Sequence, residues 1–385
     1  MIPKVSVVMP VKAAGAASVG ETLVPAVRSV LMQTMRDFEL VIVDDGGGLL
    51  PSPSNGRGWR VPVPTGRTPG EGWSGNGYLL DRRIKIIHLP PTGIVGALNA
   101  GIAEARAPYI ARMDADDVCS PRRLELQLSY MEKNPDCALL GSLVRTFPRR
   151  RLKDGMLHYE SWLNSAVSEK DINRDLFVES PFAHPSVMFR RDDALALGGY
   201  RDMGWPEDYD LWLRFARNGL RMAKVPETLL FWRDGEGRLS RRSAVYSAEK
   251  FREAKAHFLK EWRLKGIRDV QVWGAGRDGK TWGKLLIKSG FNVVQFIDID
   301  RKKVGGRACG SSRMGPADRP DTSTDTGCSR IEAAQAVGIP VVWPGDIIKG
   351  TPILCAVGVK GAREQIRDYL LLEGFREPEE FIFLS

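Results

Sequence analysis

Three short runs near the amino terminus limit the architecture more than any other feature. Val5–Met9, Phe38–Val43 and Ile84–Ile87 are dominated by β-branched and apolar residues. Such runs suit strands covered on both faces, as in a parallel sheet flanked by helices. Helical spacing fills the gaps between them: Leu23, Val27, Val30 and Leu31 after the first run, Ile94, Leu98, Gly101 and Ile102 after the third. A fourth run, Tyr109–Arg112, precedes a helix with Leu124, Gln127, Leu128 and Met131 in register. Strand–helix–strand repetition of this kind predicts an α/β domain with right-handed crossovers. The first run begins so early that it leaves no room for a signal peptide. No apolar run approaches the roughly 18 residues of a membrane-spanning helix.

In such a sheet, ligands gather beyond the carboxyl ends of the strands, and acids stand at two of them. Met113-Asp114-Ala115-Asp116-Asp117 places three carboxylates in four residues after Arg112. Their mutual repulsion is relieved by a divalent cation bridging to phosphate, because hard oxygen ligands suit magnesium or manganese. An acidic loop ahead of the helix begun by Ser120-Pro121 is the plainer reading. The second strand ends in Asp44-Asp45-Gly46. These acids suit a base N–H or a ribose hydroxyl, or a turn-initiating Asp-Gly. Downstream, Pro206 starts a helix whose first turn carries Glu207, Asp208 and Asp210, an arrangement that helix-end electrostatics alone can explain.

The formal charge of +9 rests largely on arginine, including Arg149-Arg150-Arg151, Arg190-Arg191 and Arg241-Arg242. Phosphate-bearing substrates, an anionic membrane surface and nucleic acid compete as partners. Nucleic acid ranks last, since the chain has neither paired zinc ligands nor an RNP pattern. The five cysteines show no CxxC spacing, which points to a reduced, cytoplasmic setting.

Taken in order, these motifs resemble the family 2 glycosyltransferases. The resemblance runs through Val5–Pro10, Ser29–Thr34, Phe38–Gly46, Gly96–Ile102, Met113–Asp117, Pro121–Glu125, His184–Arg191 and Glu207–Asp210. It implies a GT-A fold and inverting transfer of a sugar from a nucleotide-diphosphate donor to a saccharide or lipid-linked acceptor. Surface polysaccharide or glycolipid synthesis is the setting it suggests, in the cytoplasm or peripherally at the inner face of the membrane. Pro10 and Val11 would line the nucleotide pocket, with Asp44 and Asp45 near base and ribose. Asp114 and Asp116 match the metal-and-donor motif, Asp116 being the expected direct ligand of Mg2+ or Mn2+ and Asp117 an orienting residue. Asp208 matches the base that deprotonates the acceptor, with Glu207 as the fallback. His184 would touch donor or acceptor, or be a hydrogen-bonded structural histidine. Trp232-Arg233-Asp234 departs from relatives that carry a histidine there, leaving Asp234 or water as a third ligand.

Four segments complete the expectation. The first domain spans 1–243, interrupted at 46–80 by a mobile insertion with 10 Gly and 5 Pro. Residues 244–266 are a helical linker, either packed or lying on a membrane surface. A smaller Rossmann-like α/β domain spans 267–385, with a polar flexible loop at 305–328. There Gly274, Gly276 and Gly279 follow a strand and open a helix, and Asp298 ends the next strand, a dinucleotide-type pattern. It suggests a nucleotide site, or a turn retained without a ligand. It also raises two rivals: an NAD(P)-dependent oxidoreductase acting on sugar nucleotides, and a non-catalytic sugar-nucleotide-binding protein. The oxidoreductase lacks a Tyr-x-x-x-Lys pair after the glycines.

Overall fold

The computed structural model describes residues 2–12, 22–46, 59–62, 73–74, 78–235, 238–308, 338–359 and 361–385. The chain divides into two compact units, Met1–Asn173 with Ser180–Ser247, and Arg174–Glu179 with Ala248–Ser385.

Seventeen strands are described. In the first unit they are β1 (Val5–Lys12), β2 (Phe38–Asp45), β3 (Trp59–Pro62), β4 (Trp73–Ser74), β5 (Tyr78–Asp81), β6 (Ile84–Leu89), β7 (Tyr109–Arg112), β8 (Val118–Cys119), β9 (Cys137–Phe147), β10 (Met188–Arg190) and β11 (Arg221–Arg233). Eight form one sheet in the order β6-β2-β1-β7-β10-β9-β11-β8. The first four are parallel, and β10 then runs antiparallel to both β7 and β9. β2 is buried along its whole length, and β1 up to its last residue. This is the two-sided covering that their composition demands. Helix Gly93–Glu104 comes so close that a Cβ on Gly101 would meet Val8 Cγ1 at 2.4 Å. Mixed α/β architecture of the GT-A class is therefore what the sequence builds. Inside the expected mobile insertion, β5 pairs antiparallel with β3 and β4, so glycine-rich composition did not exclude strands. The rest of 47–77 lies outside the described residues.

The second unit holds β12 (Asp269–Trp273), β13 (Asn292–Ile297), β14 (Arg307–Ala308), β15 (Ile339–Val342), β16 (Ile353–Cys355) and β17 (Phe381–Phe383). Their order is β14-β15-β13-β12-β16-β17, parallel throughout except at β14. The first strand, β12, is central and the order reverses around it, the position where open sheets of this kind bind ligands. Helix Ala248–Phe258, expected as part of a linker, groups with this unit. It buries Ala254, Ala256 and Phe258, and Lys255 Nζ donates to the carbonyls of Val178 and Leu384 at 2.7 and 3.2 Å. Of the polar loop, residues 309–328 lie outside the described set. Among the described residues no helix is long and apolar enough to cross a membrane.

Candidate active site

The acidic turn is anchored by backbone hydrogen bonds on two sides. Met113 N donates to Val8 O and Arg112 N to Val187 O, each at 3.0 Å. One carboxylate oxygen from each of Asp114, Asp116 and Asp117 lies within 4.8 Å of the others. Burial, together with the Asp114 charge, pushes Asp116 up to about 6. Burial and both neighbouring carboxylates hold Asp117 well above the usual range. Asp117 Oδ1 accepts from Arg233 N at 2.7 Å, while its buried Oδ2 has no partner among the described residues. Asp117 therefore ties the turn to β11 and keeps one bare oxygen in the cluster. Converged oxygens, an orphan among them, and proton affinity raised by burial and by repulsion are what a divalent cation would satisfy. Asp234 is committed elsewhere, at 2.6 Å from Arg241 Nη2 and 3.5 Å from Arg238 Nη1.

The acid pair opens helix Glu207–Arg217 behind Pro206. Glu207 is 3% exposed and hydrogen-bonded through one oxygen. Oε2 accepts from the Tyr246 hydroxyl at 2.6 Å, and Oε1 lies 3.7 Å from His184 Nδ1. His184 Nε2 lies 2.8 Å from the Tyr200 hydroxyl, and burial followed by the Arg112 charge holds its pKa well below the ordinary value. His184 is therefore neutral and hydrogen-bonded to Tyr200, with Glu207 near its other ring nitrogen. Asp208 is different: one oxygen accepts from Tyr209 N at 2.7 Å, and the other has no hydrogen bond among the described residues. Burial and the Glu207 charge push it up to about 8. Burial raises Glu207 as well, against the Tyr246 hydrogen bond. Asp114 and Arg112 both act on Glu207 electrostatically, so the two acidic groups share one neighbourhood.

On the nucleotide side, Pro10 and Val11 lie next to the end of β1, opposite Val43 and Asp44. Asp44 is fully buried, with Oδ2 3.1 Å from His88 Nδ1 and Oδ1 without a partner among the described residues. Asp45 is spent on the fold: its oxygens accept from Thr92 N at 2.6 Å, Thr92 Oγ1 at 2.9 Å and Gly93 N at 3.0 Å. It caps helix Gly93–Glu104, satisfying donors that a helix start leaves open. Sequence reasoning missed His88, Arg112, Tyr200 and Tyr246. For His88 the signal is register, since β6 sets it opposite Asp44.

In the second unit, Gly274 has φ +111°, and a Cβ there would sit 2.8 Å from Ala356 O. Asp298 Oδ2 accepts from Ala275 N at 2.8 Å and faces Lys303 Nζ at 3.1 Å. Those contacts hold the carboxyl below its usual pKa, against burial. A Cβ on Gly279 would fall 1.7 Å from Gly274 O, a backbone atom that cannot step aside. Gly279→Ala should therefore lower the second unit's stability by about 3 kcal/mol, the upper end for overpacking. A melting curve matching the unsubstituted chain would refute this.

The profile of glycosyl transferase family 2 matches residues 75–198. Amylovoran biosynthesis glycosyltransferase AmsE of Erwinia amylovora is 31% identical over 225 residues, 58% of this chain and 74% of that protein. O-antigen biosynthesis glycosyltransferase WbnJ of Escherichia coli is 31% identical over 242 residues, 62% and 83% of the two chains. A UDP-Gal:alpha-D-GlcNAc-diphosphoundecaprenol beta-1,3-galactosyltransferase of Escherichia coli is 30% identical over 168 residues, 44% and 59%. With that share of its relatives spanned, and with an acidic turn and an acid pair meeting in a GT-A sheet, the chain belongs to glycosyl transferase family 2.

Proposed function

We propose that the chain is an inverting glycosyltransferase that moves a sugar from a nucleotide-diphosphate donor to a hydroxyl acceptor. The observation that carries the reading is the asymmetry of the acid pair. Glu207 is tied to the Tyr246 hydroxyl at 2.6 Å, while Asp208 accepts only from the backbone N–H of Tyr209 among the described residues and has its proton affinity raised. A carboxylate of that kind suits a general base. As the acceptor oxygen bonds to the anomeric carbon, its proton passes to Asp208 and the sugar–phosphate bond breaks, the electron pair leaving with the nucleoside diphosphate. A single displacement inverts the anomeric centre.

Asp116, with Asp114 and the bare oxygen of Asp117, would hold Mg2+ or Mn2+. Bound there, the cation supplies neutralisation of charge on the departing diphosphate. Pro10, Val11 and Asp44 would line the nucleoside, and His184 with Tyr200 would wall the acceptor side beside Glu207. The relatives' names favour a glycan or lipid-linked acceptor, which would bring the enzyme peripherally to the cytoplasmic face of a membrane. A panel of nucleotide sugars with Mn2+ or Mg2+, read by release of nucleoside diphosphate, tests the assignment. Failure of every donor to turn over or raise the melting temperature would defeat it.

For the second unit we propose a nucleotide site at the loop of Gly274 and Gly276, supported by the strand–glycine–helix order there. A Cβ at Gly276 meets nothing within 4 Å, so Gly276→Val should leave stability unchanged and abolish binding of a phosphate cradled there. Equal nucleotide affinity of this variant for the second unit would leave the loop a purely structural turn.

A further inference from the structure

β1, β2 and β6 are parallel neighbours, and their register sets Val11 beside Asp44 and Asp44 beside His88. In-register neighbours of a parallel sheet put their side chains on one face. The three therefore form a row at the carboxyl edge, where sheets of this kind bind ligands. Exposure changes sharply along it. Val11 is 4% exposed and Asp44 is fully buried, whereas the His88 side chain is 32% exposed. The following residues are fixed by the fold: Asp45 caps helix Gly93–Glu104, and Gly46 N donates to Leu89 O at 3.0 Å. Of the two polar side chains in the row, His88 is the one within a ligand's reach.

The contact between the two sets what His88 can offer. Nδ1 lies 3.1 Å from Asp44 Oδ2. A carboxylate can only accept, so in the neutral ring the proton sits on Nδ1. Nε2 is left as an acceptor, and it makes no hydrogen bond among the described residues. A nucleoside carries the matching donors: the ribose hydroxyls, and the ring N–H of uracil, thymine or guanine.

Resting on the transferase reading above, we propose that His88 is a nucleoside-contact residue whose Nε2 accepts a hydrogen bond from the donor nucleotide. Asp44 acts behind it as a positioning residue that fixes the tautomer. The full-length protein, with Mn2+, is titrated with UDP, GDP and dTDP. For the one that binds tightest, an analogue methylated at the ring N–H and analogues lacking a ribose hydroxyl separate base from sugar. One of these is expected to bind the wild type about fivefold more weakly than the parent, the size of one hydrogen bond. His88→Ala should weaken the parent by a similar factor and no longer tell it from that analogue. In Asp44→Asn the amide can donate to Nδ1 and move the ring proton to Nε2, so a similar loss is expected. The double variant should then lose no more than either single one. Losses that multiply would make Asp44 a direct contact and overturn the relay. Unchanged affinity in His88→Ala, discrimination kept by that variant, or analogues that all bind the wild type like the parent overturn the contact itself. If Asp44→Asn does not fold, the analogues and His88→Ala decide. A wild-type protein that binds no nucleoside diphosphate overturns the transferase reading along with it.

Discussion

Asp208→Asn is expected to reduce sugar transfer by about 10³-fold, within the range for loss of a general base, with sugar-nucleotide affinity held within twofold. The amide keeps the size and the acceptor oxygen that receives Tyr209 N–H, but it cannot take a proton. Its sign on stability is equally specific. Asp208 stands at about 8, raised by burial and by Glu207, far above the ~3.9 of an unfolded Asp. A group whose folded pKa is raised contributes stability at low pH and loses it as pH climbs from about 4 through 8. The wild-type protein should therefore give up stability over that interval, while the Asn variant, relieved of the Glu207 repulsion, melts higher at pH 8.5 and similarly at pH 4. In the same window kcat/KM of the wild type should rise toward pH 8, reporting the Glu207–Asp208 pair as a unit. Transfer retained by the Asn variant, or a melting temperature lowered at pH 8.5, would remove Asp208 from the base role.

What could be read in advance follows the range of the forces involved. β1 and β2 were legible because burial on both faces is written in every residue of the run, as were the helices whose apolar residues recur three and four apart. The acid clusters were legible because adjacent like charges are a local anomaly. Their division of labour was not. Asp44 and Asp45 are neighbours in sequence, yet one lies buried beside His88 and the other caps a helix beginning at Gly93. Only strand register and the placement of that helix decide between them. Arg112 reads as an ordinary strand residue until its guanidinium is seen 2.6 Å from Asp114. Tyr246 is 39 positions from Glu207 and reaches it through tertiary packing alone. The short strands β3 to β5 were hidden for a different reason: glycine and proline weaken a strand's intrinsic preference without forbidding a hairpin when partners pair.

Asp116→Ala should weaken Mn2+ binding by on the order of 100-fold or more, at least as much as losing a residue that only supports a metal ligand, and abolish the Mn2+-dependent part of donor affinity. Titration calorimetry of the protein with Mn2+ alone reads the first effect without any turnover. Proton and cation compete for the same carboxylate, and Asp116 is raised to about 6 by burial and by Asp114. Wild-type Mn2+ affinity should therefore be level above about pH 7 and fall roughly tenfold per unit well below 6. The metal-free variant carries a further signature. Burial and the Asp114 charge both disfavour ionised Asp116, so its stability contribution is present at low pH and lost as pH rises through about 6. Removing the carboxylate should raise the metal-free melting temperature at pH 7.5, while erasing the increase that saturating Mn2+ gives the wild type. Binding sites commonly hold strain of this kind against stability, and here the same repulsion that loosens the empty turn is what the cation would relieve. An Asp116→Ala protein with undiminished Mn2+ affinity would move the coordination to Asp114 and Asp117, leaving Asp116 as a charge that the fold tolerates for another reason.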